Sequence, residues 1–132
     1  QRLCRRLCSE CKIERQTTEA EARKINNIIG ESIVSGKPFL KKAEVTYTIY
    51  DANLNGCEAC HYGYRGRVGI YEAFNMTNEL NNFINNNPSE YEIKEATKSQ
   101  RLPTLAEDAV MKILEGLTSI DEAERVVELT TI

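Results

Sequence analysis

Two Cys-x-x-Cys pairs, Cys8/Cys11 and Cys57/Cys60, are the residues of this chain best suited to chemistry, and a fifth cysteine, Cys4, stands apart from them. A Cys-x-x-Cys turn sets two sulfurs on one side of a tight bend. Two such turns therefore offer four thiolates, the closed tetrahedral shell of a structural zinc ion with ligands at about 2.3 Å. Residues 12 to 56 separate the pairs, a longer gap than in compact zinc ribbons, so a further structural element must be inserted between the two knuckles. Gly56 and Gly63 flank the second pair and permit the sharp backbone path a knuckle needs. Arg5, Arg6, Lys12, Arg65 and Arg67 lie nearby in sequence, and cations near a thiolate cluster lower thiol pKa values and offset its negative charge.

Three other chemistries fit some of these residues. Disulfides need an oxidising compartment, against which an odd cysteine count without a secretory leader argues. A thiol-redox pair of the thioredoxin kind would use one Cys-x-x-Cys, but the βαβ setting is missing. Cys57-Glu-Ala-Cys60-His61 also fits c-type haem attachment, with His61 and either Met76 or Met111 as axial ligands. That reading leaves Cys8 and Cys11 unexplained. Structural Zn2+ accounts for all four cysteines, and Cys4, four residues before Cys8 and so one helical turn away, reads as a small buried hydrophobe.

Elsewhere catalytic constellations are not evident. No Gly-x-x-x-x-Gly-Lys-Ser/Thr loop occurs, and Gly63-Tyr-Arg-Gly66 lacks the lysine and the helix start that would follow it. His61 is the sole histidine and sits in the second knuckle. Glu107-Asp108 and Asp121-Glu122 fall at helix starts, where carboxylates offset the positive end of the dipole. Four cysteines close a zinc shell, whereas catalytic zinc keeps a position open. The chain is therefore expected not to be an enzyme by itself.

The elements that must position the cysteines follow from pattern. Thr18-Glu-Ala-Glu21 is a capping box, and Ile25, Ile28, Ile29 and Ile33 follow at helical spacing, which predicts a helix over 18–35 ended by Ser35-Gly36-Lys37-Pro38. Glu44–Tyr50 alternates and predicts a strand, as does Arg67–Phe74, giving a two- or three-stranded antiparallel unit around the metal. Thr77 starts a short helix through Leu80, Phe83 and Ile84. Further capping boxes occur at Ser89–Glu92, Thr104–Glu107 and Ser119–Glu122. Leu105, Ala109, Val110, Ile113, Leu114 and Leu117 form one stripe that Gly116 breaks near a C-cap. The asparagines at 81, 82 and 85–87 read as a polar helix face and turn. The expected fold class is α+β: a small tetracysteine zinc-knuckle unit with a short antiparallel β element (residues 1–74, with helix 18–35 inserted), followed by a C-terminal helical bundle (75–132).

Bulk properties bound the partners. With 41% hydrophobic and 28% charged residues over 132 positions, the balance is that of an ordinary folded domain. A net charge of −3 gives no reason to expect nucleic acid. No run approaches the roughly 18 apolar residues of a membrane span, and a cytoplasmic setting is expected. Residues 1–7 read as the tail of an element begun earlier, which implies a piece of a longer protein.

Several segments together resemble the C-terminal region of the type II secretion and type IV pilus assembly ATPases. They are Gln1–Cys8, Gly56-Cys-Glu-Ala-Cys60, Gly63-Tyr-Arg-Gly-Arg-Val-Gly-Ile-Tyr-Glu72, Leu105–Asp108 and Gly116–Val126. The resemblance spans nearly the whole chain, and the Gly-Tyr-Arg-Gly-Arg block beside four cysteines is its specific part. It implies a cytoplasmic homo-hexamer whose ATP-driven movements act on an inner-membrane platform protein, which places the chain at the inner membrane only through partners. It also implies a zinc-binding subdomain that projects from the ATPase core of the same chain. Carried over, the metal ligands are Cys8, Cys11, Cys57 and Cys60. The nucleotide loop and catalytic carboxylates have no matching positions, so ATP and Mg2+ belong to the parent core. Cys4 departs from the family, which usually has an aliphatic residue there. Relatives that retract pili commonly lack the cysteines, so assembly or secretion is favoured over retraction. Arg65 and Arg67 would either contact a neighbouring subunit or brace the cluster.

Overall fold

The computed structural model describes residues 1–34 and 44–129. The first strand, β1 (Arg2–Leu7), pairs antiparallel with β4 (Tyr64–Ile70), and β2 (Ile13–Gln16) pairs antiparallel with β3 (Thr48–Asp51). Helix α1 (Glu19–Val34) lies between β2 and β3 in sequence. After β4 come α2 (Asn78–Ile84), α3 (Glu90–Thr97), a 3-10 turn at Lys98–Gln100, α4 (Leu105–Leu114) and α5 (Ile120–Glu124). The fold is thus α+β, with two separate two-stranded ladders among the described residues.

Side-chain pattern explains the layers. Ala22, Ile25, Ile28 and Ile29 put one face of α1 into the core, and Ala109, Val110 and Ile113 do the same for α4. The same core cluster takes in Cys4 of β1, Ile49 of β3 and Ile70 of β4, with Ile120 and Ala123 of α5. Each buried isoleucine contributes about 2 kcal/mol relative to exposure. The helix α4 thus packs in the same core as the strands, while α2 packs on α3.

Local chemistry sets the boundaries. Thr18 accepts the Glu21 N–H at 3.3 Å and Glu21 accepts the Thr18 N–H at 2.7 Å, the reciprocal box expected at the start of α1. The expected end of that helix at Ser35–Pro38 lies outside the described residues. Thr77 caps α2, and Ser89 and Thr104 open α3 and α4 with full capping boxes. α4 ends in a Schellman turn: Gly116 N–H donates to Ile113 C=O and Leu117 N–H to Lys112 C=O, both at 2.9 Å, with Gly116 at φ +68.

Four expectations change. Cys4 is on a strand, not one helical turn before Cys8, because residues 2–7 find a ladder partner in β4 that local sequence does not reveal. The strand expected over 44–50 is confined to Thr48–Asp51, since β2 offers partners only from Ile13 to Gln16; Tyr47 and Thr17 add one further backbone hydrogen bond at 2.9 Å. The strand expected over 67–74 runs instead from Tyr64 to Ile70. Gly66, at φ +73, forms a bulge where β1 and β4 shift register between Arg5 and Leu7, so the ladder reaches back to Tyr64, and it stops at Ile70 opposite Arg2, where β1 begins. Ser119 does cap α5, but Glu122 does not close the box; its carboxylate turns to Arg5 and Arg125. Among the described residues no helix is long and apolar enough to cross a membrane.

Candidate metal centre

The first pair sits in the turn that leaves β1. Cys8 follows the last strand residue, its N–H donates to Gly63 C=O at 2.9 Å, and its own carbonyl accepts the Lys12 N–H at 3.1 Å. The second pair sits in the loop between β3 and β4. Gly56 at φ +68 turns the chain into Cys57, and Tyr62 and Gly63, at φ +49 and +80, form a tight two-residue reversal closed by His61–Tyr64 hydrogen bonds at 3.0 and 3.1 Å. A side chain on Gly63 would meet the Asn53 backbone at 2.7 Å, so glycine is needed there for space as well as for conformation.

These two turns bring four sulfurs together. Cys8 Sγ lies 3.8 Å from Cys57 Sγ, Cys11 Sγ lies 3.6 Å from Cys60 Sγ, and Cys57 Sγ lies 3.5 Å from Cys60 Sγ. All four are within 4.8 Å of one another. A tetrahedral zinc with ligands at 2.3 Å has sulfur–sulfur edges of roughly 3.8 Å. A disulfide needs about 2.05 Å, and all five cysteines are free thiols. The donor set therefore fits a closed thiolate-bound metal. Without one, the protons are shared unevenly. Burial, reinforced by hydrogen bonds to Cys60, Cys57 and Cys8, pushes Cys11 up to about 12. Cys57 is also raised, against a backbone hydrogen bond at Ala59, by hydrogen bonding to Cys60 and by burial. At Cys60 burial opposes ionisation, but backbone hydrogen bonds at Cys57 and Gly63 and the thiols of Cys57 and Cys11 bring it down to about 7. Four thiolates at once require a cation among them.

The cations expected around the cluster divide. Arg5 bonds Glu122 and lies 4.1 Å over the Tyr64 ring; Lys12 donates to Gly116 C=O at 2.9 Å and lies 4.1 Å over the Tyr50 ring. Arg6, Arg65 and Arg67 are exposed, and among the described residues no hydrogen bond or ion pair engages their side chains. Cys4 is buried beside Val68, whose carbonyl accepts its thiol at 3.6 Å, apart from the four-sulfur group. His61 and Met76 are exposed, whereas Met111 packs against the core. The carboxylates of Glu107 and Asp108 are buried in structural bonds: Glu107 accepts the Thr104 N–H, and Asp108 accepts the Tyr71 N–H at 2.7 Å and the Lys112 ammonium. Sequence reasoning missed Gly116 and Leu117 as supports of the first knuckle, because a contact across 104 or more positions leaves no local signal.

Residues 1–125 match the model of the family described as Type II/IV secretion system protein. The chain is 34% identical over 127 residues to type II secretion system protein E of Pseudomonas aeruginosa, covering 96% of this chain and 22% of that protein. It is 31% identical over 126 residues to the type IV pilus assembly ATPase PilB of the same organism, covering 96% and 20%. Against the type II secretion system ATPase E of Vibrio cholerae the identity is 32% over 127 residues, covering 96% and 22%. The chain thus spans about a fifth of the length of these relatives. With residues 1–125 of its 132 matched, this chain belongs to the Type II/IV secretion system protein family.

Proposed function

We propose that this chain is the zinc-holding, non-catalytic portion of a hexameric ATPase that drives type IV pilus assembly or type II protein secretion. Convergence of Cys8, Cys11, Cys57 and Cys60 from turns 49 positions apart is the observation that carries the reading. Zinc bound there ties the turn that leaves β1 to the β3–β4 loop and so holds the β1–β4 sheet in shape. The sheet and its helices then pack on the ATPase core of the same chain, where ATP and Mg2+ are bound. The machine works in the cytoplasm and reaches the inner membrane through its platform protein. Exposed Arg65 and Arg67, presented by the bulge at Gly66, suit contact with a neighbouring subunit better than bracing of the cluster, since neither side chain makes a hydrogen bond or ion pair among the described residues.

The division into a tetracysteine part (1–74) and a helical part (75–132) belongs to the same proposal. Residues 71–77 are exposed and without regular structure, which supports a junction there, although α4 and α5 return to the shared core.

Structural zinc contributes roughly 10 kcal/mol or more in small domains. Metal analysis of the purified chain should give one zinc, and chelation should lower the melting temperature sharply. An unchanged melt in a metal-free sample would overturn the reading. A reactive Cys60 with disulfide-reductase activity and no bound metal would instead mark a thiol-redox module.

A further inference from the structure

The two residues that flank the first cysteine pair are both fastened to the same turn. Leu7, just before Cys8, donates its N–H to Leu117 C=O at 2.9 Å. Lys12, just after Cys11, donates its ammonium to Gly116 C=O, also at 2.9 Å. Gly116 and Leu117 are consecutive and form the Schellman end of α4. The Lys12 ammonium is further held over the Tyr50 ring, and the Tyr50 hydroxyl donates to Glu14 at 3.0 Å. Space confirms the fit: a side chain on Gly116 would meet the Tyr50 ring at 2.6 Å and Lys12 Nζ at 2.7 Å. The same glycine thus supplies the left-handed turn, the acceptor and the room for its donor.

A cysteine turn clamped at both ends cannot relax without disturbing the clamp. We infer that the turn between α4 and α5 is thermodynamically coupled to metal occupancy of the cysteine cluster, with Lys12 as the positioning residue that transmits the coupling. This rests on the metal reading proposed above. Coupling between two sites is reciprocal, so the ion steadies the α4 end by the same factor by which an intact α4 end strengthens ion binding. Supports one step beyond the metal ligands typically change affinity by about 10- to 100-fold. The Leu7 contact is backbone and stays in place under substitution, which makes Lys12 the severable half.

The test uses zinc on the full chain, with affinity from chelator competition and amide exchange followed at Gly116 and Leu117. In Lys12→Met, zinc affinity should fall about 10-fold with stoichiometry unchanged. Lys12→Arg keeps a donor and a cation over Tyr50 and should restore affinity to within about 3-fold. In the wild-type chain, removing zinc should speed exchange at Gly116 and Leu117 by at least the factor that Lys12→Met costs in affinity, and by more than at the amides of α2, which packs on α3. Wild-type affinity in Lys12→Met, or exchange at these two amides that ignores zinc, overturns the coupling. The exchange arm needs no substitution and decides the matter if Lys12→Met misfolds. Zinc bound tightly with indifferent exchange defeats the coupling alone; a wild-type chain that binds no zinc defeats the metal reading and the coupling with it.

Discussion

Glu122 accepts the backbone N–H of Arg5 at 2.8 Å with one carboxylate oxygen and the Arg5 guanidinium at 2.8 and 3.0 Å with the other. Arg125 adds two more bonds to the same carboxylate, at 2.8 and 3.2 Å. The Glu122 side chain is only 1% exposed, so every acceptor position is used away from water. Its bonds seal the edge of β1 that β4 leaves open, together with Leu7 N–H to Leu117 C=O and Thr118 Oγ1–H to Arg5 C=O at 3.0 Å. They also neutralise Arg5, which stands directly opposite Arg67 in the ladder, where like charges repel.

Glu122→Ala should therefore destabilise the chain by about 2 kcal/mol or more, because it removes the buried carboxylate and leaves the Arg5 N–H without its partner at a half-buried strand edge. Urea unfolding monitored by circular dichroism measures it. A loss under about 0.5 kcal/mol would mean that water replaces the carboxylate at no cost.

Acid should act through the same residue and through Glu21. Arg15 and the Thr18 cap hold Glu21 down to about 2; at Glu122 burial opposes ionisation, but Arg125 and Arg5 prevail and also bring it to about 2. Both lie below the ordinary 4.5, so their contribution is complete above about pH 4.5 and is lost as pH falls from there toward 2. Melting temperatures across that window should fall, and the slope should be shallower in Glu122→Gln. A slope equal to the wild-type one would remove Glu122 from the account.

Two glycines should respond in opposite directions. Gly116→Ala imposes a left-handed backbone on a residue with Cβ and drives it into Tyr50 and Lys12, costing about 2 kcal/mol. Gly30 lies inside α1, and among the described residues nothing comes within 4 Å of an added Cβ, so Gly30→Ala should stabilise by about 0.5–1 kcal/mol. Paired thermal melts compare them directly, and equal shifts of one sign would contradict the geometry.

Cysteine substitutions should separate packing from ligation. Cys4→Val fills a buried site with a side chain of similar size and should cost less than about 1.5 kcal/mol, with metal content unchanged. Cys60→Ser removes one member of the four-sulfur group and should lower zinc retention during dialysis against chelator. Loss of metal from Cys4→Val would place Cys4 among the ligands.

What was legible in the sequence is the chemistry that acts over a few residues. Two Cys-x-x-Cys turns, the glycines that let the second one bend, the caps at Thr18, Thr77, Ser89 and Thr104, and the isoleucine stripe of α1 all depend on neighbours within one or two turns of chain. Family membership was legible for a related reason, since the Gly-Tyr-Arg-Gly-Arg block encodes a bulge at Gly66 that needs glycine at positive φ. Only the tertiary structure decided where the strands pair, because ladder partners such as Cys4 and Val68 lie 64 positions apart. It also decided that Glu122 leaves its own helix cap for Arg5, and that Lys12 serves the end of α4. In both cases a charged group has several partners of similar local merit. Burial of the alternatives selects among them, and burial exists only once the chain has folded.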